Sequence, residues 1–279
     1  MTVDVTFEPA CLLNSILAGV ATVIDEATLQ FSPDHLRIKH LDVSHVAFID
    51  FLLPKQAFSN WSVTGNVNLT FNVDEVLKIL GLNDDSFEQV RLKYAPPVKG
   101  NPECMTITLS GRTEKEYSLP LLENPKLDNL TPKLAGSTCI VSLAPFLELL
   151  ESAEKMANPF QLALTEKRNV EISCHGDAGR YMGTMRPDDV QQFQGIPAQT
   201  CFNVNFVLPI VRLFTKIAEL DHITPILPLV VELQTDMPLK LTLNLPCEYG
   251  ETPIGDPVQN MVLTYVLAPR IDKEEVIRK

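Results

Sequence analysis

Four segments of this chain carry apolar residues at helical spacing, and they recur in pairs at a constant distance. The first spans 9–24. Leu13, Ile16, Leu17, Val20 and Val23 form its stripe, and Pro9 suits a first helical turn. The second, 73–80, turns Val73, Val76, Ile79 and Leu80 inward and meets Gly81 as a stop. The third opens at Ser142, a natural N-cap, and carries Leu143, Phe146, Leu147, Leu150 and Ala153, with Pro159 beyond its end. The fourth, 205–220, turns Phe206, Ile210, Leu213, Phe214 and Ile217 inward and places Pro209 in its first turn. The first and third start near 10 and 142, a shift of 132; the second and fourth start near 72 and 205, a shift of 133. Two shifts that agree within a residue imply two copies of one structural unit.

The text between the helices alternates as half-buried strands do, for example at 28–31, 36–39, 67–70, 106–109, 230–234 and 239–245. Turn signals separate the strands at Ser32-Pro33-Asp34, at Thr64-Gly65-Asn66, and around Gly176 and Gly179. Prolines at 120, 125 and 132 stiffen the stretch between the copies into an extended connector. The expected fold class is α+β: two similar domains, 1–118 and 137–279, each with two helices on antiparallel sheets, joined by a connector at 119–136.

Composition narrows the chemistry. With 23 Lys and Arg against 35 Asp and Glu, the formal charge is −12, so the chain is no polycation that coats nucleic acid by bulk charge. Hydrophobic residues at 45% supply a core, and no window reaches the roughly 20 apolar residues of a membrane span. The N-terminus carries Asp4 and Glu8 and no early Lys or Arg, so no secretory signal is expected. Six widely spaced cysteines without a CxxC pair then read as reduced thiols in a cytosolic or nuclear compartment.

No catalytic motif is present: no GxSxG, HExxH, GxxxxGK[ST] or GxGxxG. His35, His40 and His45 stand five apart, which suits neither face of a helix nor one face of a strand as a metal site. Cys174-His175 beside a glycine turn is a conceivable nucleophile pair, against the reading of a buried cysteine at a strand end. No cofactor and no metal are expected.

Several stretches resemble the proliferating cell nuclear antigen family, the archaeal and eukaryotic DNA sliding clamps. They are Leu41-Asp42-Val43-Ser44-His45-Val46-Ala47, Val67-Asn68-Leu69-Thr70, Leu213-Phe214-Thr215-Lys216, Asp236-Met237-Pro238-Leu239, and LTYVLAPRI at 263–271. They cover nearly the whole chain in the family's order. The resemblance implies a ring of three two-domain subunits around double-stranded DNA, helices lining the pore and sheets outside. It implies a processivity factor for replication and repair that binds no nucleotide and is loaded by a separate clamp-loader ATPase. DNA polymerases, nucleases and ligases would be tethered through PIP-box peptides. It places the protein in the cytoplasm of an archaeon or the nucleus of a eukaryote, away from membranes.

Carried over residue by residue, the partner-peptide pocket takes Leu41, His45 and Val46 from a front loop, and Leu127 and Leu130 from the connector. Pro238 and then Val266, Ala268, Pro269 and Ile271 complete it. Val266 departs from the tyrosine common in the family. Subunits of the family join by edge strands; here 114–121 would pair with 180–186 of a neighbour, setting Glu114, Lys115 and Glu116 against Arg180, Tyr181 and Arg186.

The pore is where the sequence departs most. The family lines it with basic residues, because those meet phosphates. The four helical segments here hold four basic residues, Lys78, Lys155, Arg212 and Lys216, against seven acidic ones when Asp221, just beyond the fourth, is included. Weak DNA contact follows. Three arrangements would account for this: a homotrimer that holds DNA topologically, one subunit of a heterotrimer or checkpoint-type ring whose paralogous chains carry the charge, or a diverged clamp that keeps the ring and partner pocket and largely gives up DNA; the first two are expected. Loops at 94–103 and 246–257 look longer than the family's turns.

Overall fold

The computed structural model describes residues 1–81, 87–98, 102–125, 136–167, 169–177, 179–220, 227–246 and 260–270, leaving aside the side chains of 218–220 and 246. The first half of the chain forms β1 (Thr2–Phe7), α1 (Ala10–Val20), β2 (Glu26–Phe31), β3 (His35–Leu41), β4 (Ala47–Pro54) and β5 (Asn60–Thr64). It continues with β6 (Val67–Asn72), α2 (Val73–Leu80), β7 (Phe87–Tyr94), β8 (Cys104–Gly111) and β9 (Glu114–Pro120). The second half repeats that order as β10 (Ser137–Ser142), α3 (Leu143–Glu154), β11 (Pro159–Leu164), β12 (Val170–Gly176), β13 (Gly179–Thr184) and β14 (Val190–Gln194). It ends with β15 (Ala198–Asn203), α4 (Val204–Leu220), β16 (Pro228–Leu233), β17 (Leu239–Pro246) and β18 (Asn260–Leu267).

The strand order repeats too. In the first half the rows run β5-β1-β7-β8-β9 and β4-β3-β2-β6. Adding nine to each label gives the rows of the second half, β14-β10-β16-β17-β18 and β13-β12-β11-β15. The duplication read from helix spacing therefore extends through every strand. Two compact units result, and they do not follow the chain midpoint. Among the described residues, one gathers those of Met1–Asp42, Ile49–Asn129 and Asn244–Leu263; the other gathers those of Val43–Phe48, Leu130–Leu243 and Thr264–Lys279.

Each unit has its own core. In the first, α1 packs on β1, β7 and α2, burying Leu13, Ile16 and Leu17 against Val5, Val90 and Leu92. In the second, α3 packs on α4, β12 and β13, and Phe146, Leu150, Phe160, Phe202 and Phe214 are all at most 1% exposed.

Helix ends follow local chemistry, with corrections to the sequence reading. Pro9 is the N-cap of α1 with extended backbone, not a first-turn residue, and Val23 lies past the helix, half-buried. Asn72 caps α2 by accepting from the Glu75 N–H at 3.1 Å, and Gly81 closes it at φ +66°. Ser142 stands at the α3 cap, yet its side chain makes no capping hydrogen bond. In α4 the helix starts at Val204, so Pro209 falls in the second turn. Phe206 is 39% exposed, and Val207, Leu208 and Val211 take the inward positions.

Candidate functional site

In the second unit, β15 acts as a ledge to which the predicted pocket segments are tied. Thr200, 4% exposed, donates its hydroxyl to the Gln234 carbonyl at 3.1 Å and accepts from the Asp236 N–H at 3.0 Å. That double bond holds Asp236 at φ +59°, a conformation aspartate tolerates, and fixes the turn that presents Met237 and half-buried Pro238. One residue along, the Cys201 carbonyl accepts from the Arg270 N–H at 2.9 Å. The Ala268 N–H in turn donates to the Val46 carbonyl at 2.7 Å, which joins the end of the chain to the front loop. Tyr265, fully buried, anchors β18 by donating its hydroxyl to the Phe206 carbonyl at 3.0 Å.

The front loop offers exposed Val43, Ser44 and His45, with His45 at φ +58°. Val46, Ala268 and Pro269 are half-buried, and Val266 is only 5% exposed, so it supports the surface from beneath. Leu41 is half-buried at the end of β3, in the first unit. Leu127, Leu130 and Ile271 lie outside the described residues. Sequence reading missed Thr200 and the Cys201 carbonyl: a buried threonine on an alternating strand carries no mark of the turn it holds.

The helix faces keep the acid-rich balance of the sequence. Lys78 is exposed on α2, behind Asp74 and Glu75 in its first turn. Lys155 is exposed just past α3, and Lys216 is exposed on α4. These three lysines make no ion pair among the described residues. Arg212 is committed elsewhere. It donates to Glu151 at 3.1 Å and to Glu154 at 3.3 Å, across from α4 to α3.

Among the described residues, the two strands singled out for assembly each have one free edge: β9 pairs only with β8, and β13 only with β12. Glu114, Lys115 and Glu116 are exposed on β9, and the Lys115 ammonium sits 4.7 Å from the centre of the Phe87 ring. On β13, Arg180 is exposed and Met182 is 55% exposed; Arg186 is exposed just beyond the strand. Tyr181 is half-buried, and burial raises its hydroxyl pKa.

The Cys174-His175 pair is not aligned as nucleophile and base. Cys174 is 7% exposed, points its thiol at the Ala153 carbonyl, and has its pKa raised by burial. His175, next along the strand, is exposed on the opposite face. His40 accepts from the Thr28 N–H, and His35 bonds Ser32. Among the described residues no group of three or more His, Cys, Asp or Glu could hold a metal ion, and no helix is long and apolar enough to cross a membrane.

Residues 2–119 match the family described as the proliferating cell nuclear antigen N-terminal domain. The N-terminal half thus carries the proliferating cell nuclear antigen domain, and the chain as a whole is similar to the sliding clamps of that family. It is 25% identical over 269 residues to the DNA polymerase sliding clamp of Thermofilum pendens, covering 92% of this chain and 94% of that one. Among solved structures, the C-terminal region of FEN-1 bound to A. fulgidus PCNA aligns with TM-score 0.76 and 17% identity over 97% of this chain and 99% of that one. The PCNA2–PCNA3 complex from Sulfolobus tokodaii aligns at 0.76 and 18%, over 96% and 99%. The duplicated α+β arrangement is thus the two-domain fold of PCNA, and members of this family are sliding clamps without enzymatic activity.

Proposed function

We propose that this chain is a DNA sliding clamp that closes into a three-subunit ring around duplex DNA and tethers replication and repair enzymes without doing chemistry itself. The observation that carries the reading is that β9 in the first half of the chain and β13 in the second each have one edge without a strand partner among the described residues. A strand edge of one kind and a strand edge of another make a heterologous contact, and such contacts close into rings when each step turns by the right angle. Glu114 and Glu116 meeting Arg180 and Arg186 add charge complementarity.

A closed ring needs no strong contact with the polymer it surrounds. It holds by topology and raises the local concentration of whatever is bound to it. The tethering site is the surface built from His45, Val46, Pro238, Ala268 and Pro269, with Leu41, Val266, Leu127, Leu130 and Ile271 completing it. Its occupants are extended peptides with apolar and aromatic anchors that also use free backbone groups at the rim. Lys78, Lys155 and Lys216 supply the phosphate contacts.

A second reading is a subunit in a ring of paralogous chains. The acid-rich helix faces favour it, since partners could carry the missing positive charge. Sedimentation of the purified chain separates the two: a trimer of one chain supports the first, a monomer that closes only with paralogous chains supports the second. The function itself is tested by stimulation of a cognate polymerase on primed circular DNA with the loader present. An intact trimer that gives no stimulation overturns the clamp reading.

A further inference from the structure

The Arg212 guanidinium spans two carboxylates one helical turn apart, donating from Nε to Glu151 and from Nη2 to Glu154. All three side chains lie at the helix surface, 40–45% exposed. The trio carries a formal charge of −1, and exposed Glu148 stands one turn before it. Resting on the reading of these helices as the DNA-facing lining, we propose that Glu151 and Glu154 act as an internal phosphate mimic. They keep Arg212 off the duplex and set the ring's grip to a low value.

The physical basis is competition for one fork. An arginine presents the same planar donors to a carboxylate and to a phosphate. A phosphate approaching Arg212 must displace two carboxylates already seated, against the negative charge they leave behind. Each exposed ion pair is weak, so the arrangement shifts the balance rather than forbidding contact. Lys78, Lys155 and Lys216 have no such competitor among the described residues. The two glutamates therefore determine how tightly the clamp engages DNA, while peptide capture and ring closure use other residues.

The test uses the full chain carrying Glu151→Ala and Glu154→Ala, and a short linear duplex with open ends. Association is followed by fluorescence anisotropy across a salt series. The double variant should bind roughly tenfold tighter at low salt, with a log–log salt slope steeper by about 0.9 for each phosphate newly contacted. Adding Arg212→Ala should erase that gain. A control with Asp74→Asn and Glu75→Gln removes two charges from α2 and should give a smaller gain that does not depend on Arg212. A gain that survives Arg212→Ala undiminished would mean bulk charge and overturn the lock. Lys78→Ala with Lys216→Ala tests the underlying reading. If it weakens binding while the glutamate variant changes nothing, the lock alone falls; if it is neutral, the helix faces do not meet DNA and both fall.

Discussion

The Thr28 N–H donates to His40 Nε2 across 2.8 Å, from β2 to a residue near the end of β3. This fixes the tautomer, since the acceptor nitrogen cannot also carry a proton. Burial pushes the His40 pKa down from 6.5 to about 4. Unfolded chain takes up a proton near pH 6.5 and folded chain resists until about 4. Stability from this group is therefore complete above pH 6.5 and declines as pH falls toward 4, by at most about 3 kcal/mol. His35, also lowered mainly by burial, adds in the same sense; Asp4, held below its usual value by its hydrogen bond with Arg91, contributes only at still lower pH. Urea unfolding at pH 7.5 and pH 5, followed by fluorescence of the single tryptophan, Trp61, should show the loss. His40→Gln, which keeps an acceptor, should flatten it. An unchanged pH dependence in that variant refutes the assignment.

Thr200→Val removes the hydroxyl that holds the 234–237 turn while keeping the shape. Two hydrogen bonds are lost at a buried position, with a cost of about 1–2 kcal/mol. Peptide affinity should fall several-fold, because Pro238 loses its support, while the sedimentation coefficient of the assembly stays constant. Unaltered peptide affinity by calorimetry would separate this turn from the partner surface.

His45→Gly distinguishes ring chemistry from loop geometry. Glycine adopts φ +58° without strain, so the loop should keep its path and thermal stability. Peptide binding should drop at least threefold, about 0.7 kcal/mol, if the imidazole touches the ligand. Equal affinity would assign His45 to the loop alone.

Met182→Asp places a charge on the free edge of β13, at a side chain 55% exposed in the single chain. The subunit should fold as before, with the assembly dissociation constant raised tenfold or more, about 1.4 kcal/mol. Sedimentation against concentration reads this directly, and an unshifted assembly would remove β13 from the interface.

Phe214→Ala empties a fully buried site in α4 and should cost about 3–5 kcal/mol. Chemical denaturation should show the loss.

The duplication was legible because helical periodicity survives divergence: Leu13 and Ile16, or Phe146 and Leu150, mark buried stripes without any tertiary knowledge. Strand alternation located most β elements for the same reason. Phe206 was misplaced because α4 is apolar on several sides near its start, so periodicity alone could not choose its register. The tie from Arg212 to Glu151 and Glu154 was invisible because the partners lie 61 and 58 residues apart in sequence, and only the packing of α3 on α4 brings them together. Thr200 illustrates a third limit, since hydrogen bonding to a distant turn leaves no periodic trace.

The open edges of β9 and β13 differ in kind, and this would give an assembly closed through them a direction. Copies joined β9 to β13 all face the same way around the circle, so the hoop has an obverse and a reverse. Machinery seated on one side would then arrive in a single orientation relative to the strand polarity passing through the middle. Steering of that sort is written into connectivity, before any specific residue is consulted.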